Sequence, residues 1–289
     1  MSRGDFSRQS VRRQLSGEGL RPKKSLGQNF LTDETVLSDI VEAAALTPET
    51  CVLEIGPGMG VLTQALAKRA GQVVAVEIDQ TILPVLEKNL QGFDHVSVMN
   101  QDILKVDLGE LFRTHFGEKP VTVVANLPYY ITTPIIMKLL EANVPITSIV
   151  VMIQREVAQR LSANAGSKDF GAVTLAVQYH AEVSPVRDVS PECFEPMPKV
   201  WSSVIRLVPR QKPPVDLLDE KHFFRLVKSA FAQRRKTFIN SVSHELTPPV
   251  TKEQLKEILL TMNLNENVRG EALDIQQFAQ ISNILIGEK

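Results

Sequence analysis

The 289-residue chain has only two cysteines, Cys51 and Cys193. Neither belongs to a Cys-x-x-Cys pair or stands beside a histidine set, so no metal site and no redox dithiol is expected. Two thiols cannot staple a chain this long. They are read as buried small hydrophobes in a reducing compartment, the cytoplasm. No run approaches the roughly 20 apolar residues of a membrane span, so no membrane partner is expected. Internal repeats and low-complexity tracts are also missing. With 32 basic and 33 acidic residues the formal net charge is −1, which excludes a uniformly basic nucleic-acid binder. Any polyanion contact has to rest on local charge.

Charge is local at the start of the chain. In residues 1–24, Arg3, Arg8, Arg12, Arg13, Arg21, Lys23 and Lys24 outnumber Asp5 and Glu18. No apolar segment follows, so this is not a secretory signal. It reads either as a mobile basic arm touching RNA phosphate or as a disordered terminus.

Beyond the arm, short apolar runs alternate with helix-like segments. Cys51–Ile55, Val73–Ile78, Val96–Met99, Val121–Ala125 and Ile149–Ile153 read as buried strands. Asp33–Ala45, Val61–Ala70 and Thr81–Leu90 read as helices. This alternation predicts an α/β fold with a parallel sheet covered on both faces. Ala172–Val183 and Ser202–Val208 are expected to be further strands. Pro209, Pro213 and Pro214 mark a linker, after which His222–Ser243, Lys252–Met262 and Asp274–Ile286 are helical in pattern. The expected organisation is an arm over 1–24, an α/β domain over 25–208 and a small all-helical C-terminal domain over 209–289.

The first strand runs into Glu54-Ile55-Gly56-Pro57-Gly58-Met59-Gly60. Glycines let the backbone turn sharply and approach a ligand. Their alternate spacing differs from the pyrophosphate fingerprint Gly-x-Gly-x-x-Gly, and suits a ligand without phosphates. The second strand ends at Glu77, placed to accept from both hydroxyls of a ribose, as it would be in a dinucleotide enzyme too. Asp102, after the third strand, suits either an adenine amine or the cap of its own loop.

The fourth strand ends in Asn126-Leu127-Pro128-Tyr129-Tyr130. An adenine amine is a poor nucleophile, because its lone pair is delocalised into the ring. Acceptors that hold its two N–H groups favour the pyramidal nitrogen needed for attack. The Asn126 side-chain oxygen and the Leu127 carbonyl can serve, with Pro128 fixing the chain direction. Tyr129 offers a face on which the base can stack.

These motifs resemble the ribosomal RNA adenine N6,N6-dimethyltransferase family, in its small-subunit (16S) type. Lys24-Ser25-Leu26-Gly27-Gln28-Asn29-Phe30-Leu31 is similar to the family's N-terminal signature, and the glycine turn to its cofactor loop. Asn126-Leu127-Pro128-Tyr129 is similar to its catalytic motif. Phe194-Glu195-Pro196-Met197-Pro198-Lys199-Val200 and Ala230-Phe231-Ala232-Gln233-Arg234-Arg235-Lys236 resemble its later motifs. The resemblance implies a Rossmann-like class I methyltransferase domain using S-adenosylmethionine. Asn29, Leu31, Gly56, Gly58, Glu77, Asp102 and Asn126 would line the cofactor. Tyr129 and Phe194 would sandwich the flipped adenine, although Phe194 read alone could equally be a core aromatic. The implied partner is the small ribosomal subunit with its 16S rRNA, two adjacent adenines each receiving two methyls from a monomeric enzyme. Lys23, Lys24 and Lys199 are expected at the RNA entry. Arg234, Arg235 and Lys236, if helical, present one or two charges to phosphate or form a solvated face. The rivals are a large-subunit rRNA adenine methylase conferring antibiotic resistance, a DNA or protein-amide methylase, a nicotinamide-dependent oxidoreductase and a catalytically idle assembly factor.

Overall fold

The computed structural model describes residues 7–287. Arg3 and Asp5 of the expected arm lie outside the described residues. In chain order the first elements are α1 (Arg8–Gly17), β1 (Phe30–Leu31), α2 (Glu34–Ala43), β2 (Cys51–Ile55), α3 (Val61–Ala67), β3 (Gln72–Glu77), α4 (Leu83–Asn89) and β4 (Val96–Asn100). Next come α5 (Leu108–His115), β5 (Val121–Asn126), α6 (Thr132–Glu141), β6 (Ile146–Gln154), α7 (Arg155–Leu161), α8 (Ala172–His180), β7 (Ala181–Val189), β8 (Phe194–Glu195) and β9 (Ser202–Pro209). The chain closes with α9 (Glu220–Ala232), α10 (Phe238–Glu245), α11 (Lys252–Thr261) and α12 (Ile275–Gly287).

Two compact units emerge. The first comprises residues 1–158 and 182–209, the second residues 159–181 and 210–289. In the first unit a seven-stranded sheet runs in the order β4-β3-β2-β5-β6-β9-β7 among the described residues. The five strands from β4 to β6 are mutually parallel, and β9 returns antiparallel to β6. Every residue of β2 is buried, as a strand covered on both faces requires. From β2 the order steps outward to β3 on one side and β5 on the other. That reversal opens a crevice at the carboxyl ends of β2 and β5. Asp33 caps α2, its carboxylate accepting from the N–H groups of Thr35 and Val36.

Within its described part the basic arm forms a packed helix. Arg8–Gly17 forms α1, because Val11 and Leu15 fall on one helical face and bury against Phe30, Met59, Ile82 and Val85. Its opposite charges are also engaged: both Arg8 Nε and Nη2 donate to the Phe194 carbonyl at 3.2 and 3.1 Å, and Arg12 pairs with Glu195 at 2.8 Å.

The second unit is helical, around Phe223, Phe238 and Phe278. Thr237 caps α10 through Asn240 N–H, and Thr251 with Gln254 forms a capping box on α11. Two sequence expectations change here. Ala172–Val183 is not one strand: its first nine residues form α8, whose Tyr179 packs against Phe223 and Phe224 and donates to Glu220 at 3.0 Å. Tertiary packing overrides the β-branched composition that favoured a strand. Residues 159–181 therefore join the helical unit rather than the α/β domain. His222–Ser243 is also not one helix. It breaks at Gln233–Lys236, where Thr237 starts α10.

Candidate active site

At the crevice lies a cleft of about 840 Å³, the open solvent at its mouth included. Three stretches converge on it: Leu26–Leu31, the turn from Gly56 to Met59, and Asn126–Tyr129, with Glu77 and Ile78 alongside. Asn29, Leu31, Gly56, Gly58, Glu77, Asn126, Leu127, Pro128 and Tyr129, all named from sequence, thus share one cavity.

The glycine turn is shaped by positive φ at Gly56 (71°) and Gly58 (59°), which glycine adopts without strain. A Cβ on Gly56 would find only the Asn126 carbonyl within 4 Å, at 3.7 Å, so the backbone there borders open cavity. A Cβ on Gly58 would sit 3.0 Å from the Phe30 ring, so the turn and the N-terminal segment interlock. Glu77 is buried, and its carboxylate accepts from Gly58 N–H at 3.0 Å and Asp79 N–H at 2.8 Å. Burial raises its pKa, opposed by these backbone hydrogen bonds and reinforced by the charge of Asp79. Each oxygen keeps an acceptor site, as a diol partner demands.

The donor set fits S-adenosylmethionine. The open glycine turn would take an amino-acid tail, the fixed buried carboxylate of Glu77 a ribose, and the apolar Leu62 and Ile78 the rest.

At the other end, Asn126 Nδ2 donates to the Asn29 carbonyl at 3.1 Å, leaving Oδ1 as the end of the side chain available to a substrate N–H. Leu127 is anchored by its own N–H to the Met152 carbonyl at 3.0 Å. The Tyr129 hydroxyl pairs with Ser202 Oγ at 2.8 Å, which fixes the ring plane, and burial raises its pKa.

Four named residues stand elsewhere or are otherwise engaged. Phe194 is 1% exposed and does not line the cleft; it packs in the core with Leu31, Val36, Val189 and Val204. Strand alternation on β8 turns its ring inward and Glu195 outward to Arg12. Asp102 does not line the cleft either: Oδ1 caps its own turn at Leu104 N–H, and Oδ2 is 3.8 Å from Lys105 Nζ. It follows β4 two residues past Asn100, the register partner of Glu77, and so shares that sheet edge. Lys23 is not a free RNA contact, because its ammonium binds buried Asp79 at 2.6 Å. Arg234 is held by Glu271 at 3.4 Å and by the Lys168 carbonyl. Arg234, Arg235 and Lys236 are exposed on the turn between α9 and α10 rather than on a helix. Lys24 and Lys199 are exposed as expected.

Asp79 is a structural residue of the site that no sequence motif singles out. Burial alone would raise its pKa, but hydrogen bonds from Lys23, Thr81 and Gln28 overcome that and hold it at about 2. Asp79 thereby ties the N-terminal segment, through Lys23 and Gln28, to the end of β3. Its closeness to Glu77 was a readable signal. The partners, over 50 residues away, were not.

The family sequence model described as ribosomal RNA adenine dimethylase matches residues 19–286. A ribosomal RNA small subunit methyltransferase A from Bacillus cytotoxicus is 50% identical over 273 residues, 94% of each chain. Its namesake from Bacillus mycoides is 50% identical with the same coverage. Among solved structures, a dimethyladenosine transferase from Plasmodium falciparum is 26% identical, with TM-score 0.72 over 87% of this chain and 95% of that one. The 23S rRNA methyltransferase ErmE is 27% identical, with TM-score 0.70 over 88% and 98%. Sequence and architecture agree along nearly the whole length, and the chain belongs to the ribosomal RNA adenine dimethylase family.

Proposed function

We propose that the chain transfers methyl groups from S-adenosylmethionine to the N6 amines of two adjacent adenines in a hairpin loop of small-subunit rRNA, giving N6,N6-dimethyladenines. The carrying observation is Asn126, locked to the Asn29 carbonyl and lining the same cleft as Gly56 and Glu77. The cofactor supplies a methyl on a cationic sulfur. Gly56, Gly58, Asn29 and Leu31 would line its site and Glu77 would accept from its ribose, while Asp102, outside the cleft with Oδ1 capping its own turn, would have only Oδ2 to offer the adenine.

Asn126 Oδ1 and the Leu127 carbonyl accept from the two hydrogens of the target amine, so its lone pair localises as the nitrogen becomes tetrahedral. Alkylation leaves the nitrogen cationic, and its proton then departs without a strong base. Tyr129, its ring held by Ser202, stacks on the base. Most of the acceleration comes from holding amine and methyl in line. Residues 25–208 supply this chemistry apart from 159–181, which fold with the helical unit. That unit and Lys24, Lys199, Arg235 and Lys236 contact rRNA phosphate. We place the enzyme as a monomer in the cytoplasm, acting on partly assembled small subunits.

The test is transfer from labelled cofactor to a mixture of large subunits and small subunits lacking the modification, followed by nucleoside analysis and mapping. Label in N6,N6-dimethyladenine of small-subunit rRNA is the expected result. Label confined to large-subunit rRNA, or no transfer, overturns the reading.

A further inference from the structure

The chain's single tryptophan, Trp201, is 43% exposed. Leaving an indole half bare costs apolar burial unless the face is used. Its position is fixed by the sheet. Gln154 at the end of β6 pairs with Ser202 at the start of β9, and Arg155 N–H extends that ladder by donating to the Trp201 carbonyl at 3.0 Å. The adjacent Ser202 is the hydroxyl partner of Tyr129 in the cleft. Because Asn126 pairs with Met152, two residues before Gln154 on β6, Trp201 stands on the edge of the sheet that carries Asn126.

The surroundings suit a nucleotide. The Arg155 guanidinium carbon lies over the indole, 5.2 Å from its centroid. Asp188 is only at the outer limit of an ion pair with it, at 4.0 Å, so much of its charge remains available. Lys199 is exposed two residues before the ring. An exposed aromatic with a guanidinium and an ammonium nearby matches the two parts of single-stranded RNA, a π face and a phosphate.

We propose that Trp201 and Arg155 form a platform for an unpaired nucleotide flanking the target adenine, the indole stacking on its base and Arg155 with Lys199 facing its phosphate. This inference rests on the reading that the cleft methylates RNA. The platform determines RNA affinity and register, and it takes no part in methyl transfer.

As the only indole, Trp201 reports on itself through its emission. With S-adenosylhomocysteine bound, a single-stranded RNA oligonucleotide containing two adjacent adenines should quench that emission saturably. Trp201→Ala should raise KM for small-subunit RNA about tenfold, the loss of one base stack, with kcat and S-adenosylhomocysteine affinity near wild type. Trp201→Phe should recover most of the loss. Emission unchanged at saturating RNA, or an unchanged KM in a folded Trp201→Ala, overturns the platform. Emission that responds to small-subunit proteins stripped of RNA but not to the oligonucleotide assigns the ring to a protein contact and also overturns it. Quenching by RNA without any methyl transfer upholds the platform and overturns the catalytic reading instead.

Discussion

Asn126, at the end of β5, donates its amide hydrogen to the main-chain carbonyl of Asn29, 97 residues earlier. The bond orients the carboxamide so that its oxygen is the group left for substrate. Asn126→Ala removes the acceptor while leaving Gly56 and Glu77 in place. Methyl transfer should fall by about 100-fold or more, the scale for losing one oriented dipole at a reacting centre. Titration with S-adenosylhomocysteine should give a dissociation constant within a few-fold of wild type.

Tyr129 separates stacking from hydrogen bonding. Tyr129→Phe loses only the bond to Ser202, worth about 1 kcal/mol, and should retain most activity. Tyr129→Ala removes the ring and should lower kcat/KM by about 1–3 kcal/mol equivalent. Steady-state kinetics on the two variants checks the order.

The exposed lysines should divide by role. Lys199→Ala removes an exposed charge, and the slope of log affinity for RNA against log salt should shrink by about 1. Lys23→Ala instead unpairs the buried carboxylate of Asp79. It should lower thermal stability and leave that slope unchanged. Salt titrations and melting curves on both variants distinguish the roles.

Helix α1 should act as a brace. Arg8→Ala deletes both donors to the Phe194 carbonyl and should cost about 1.5 kcal/mol in denaturant unfolding. Arg12→Ala removes a mostly exposed guanidinium from a single ion pair and should cost less. No measurable loss in either variant would show that α1 is held by its apolar face alone.

Glu54 predicts a pH dependence of stability. It is fully buried, and neither its oxygens nor the neighbouring Thr63 hydroxyl makes a well-formed hydrogen bond. Burial lifts its pKa from 4.5 to about 8, the Thr63 hydroxyl opposing and the charge of Glu77 adding to the rise. The folded state therefore keeps a proton that the unfolded state releases above 4.5. That contribution is complete below 4.5 and is lost as pH climbs to about 8. Glu54→Gln cannot ionise. The melting temperature of wild type relative to this variant should drop steadily across that window.

The α/β class, the glycine turn, Glu77 and the Asn126–Tyr129 segment were legible because each depends on neighbours in sequence. A buried parallel strand is a continuous apolar run, and a turn that needs positive φ carries glycine. The fate of residues 172–180 was not legible, because a short apolar run can serve as helix or strand until a partner chooses. The aromatic faces of α9 choose helix for it. The burial of Phe194, the fastening of Lys23 to Asp79 and the docking of α1 were hidden for a related reason. Arg8 and Phe194 lie 186 residues apart, and composition alone holds no information about which distant carbonyl or carboxylate a charge will meet. Local chemistry thus determined which groups the cleft would contain. Tertiary packing decided which of them face it and which hold it together.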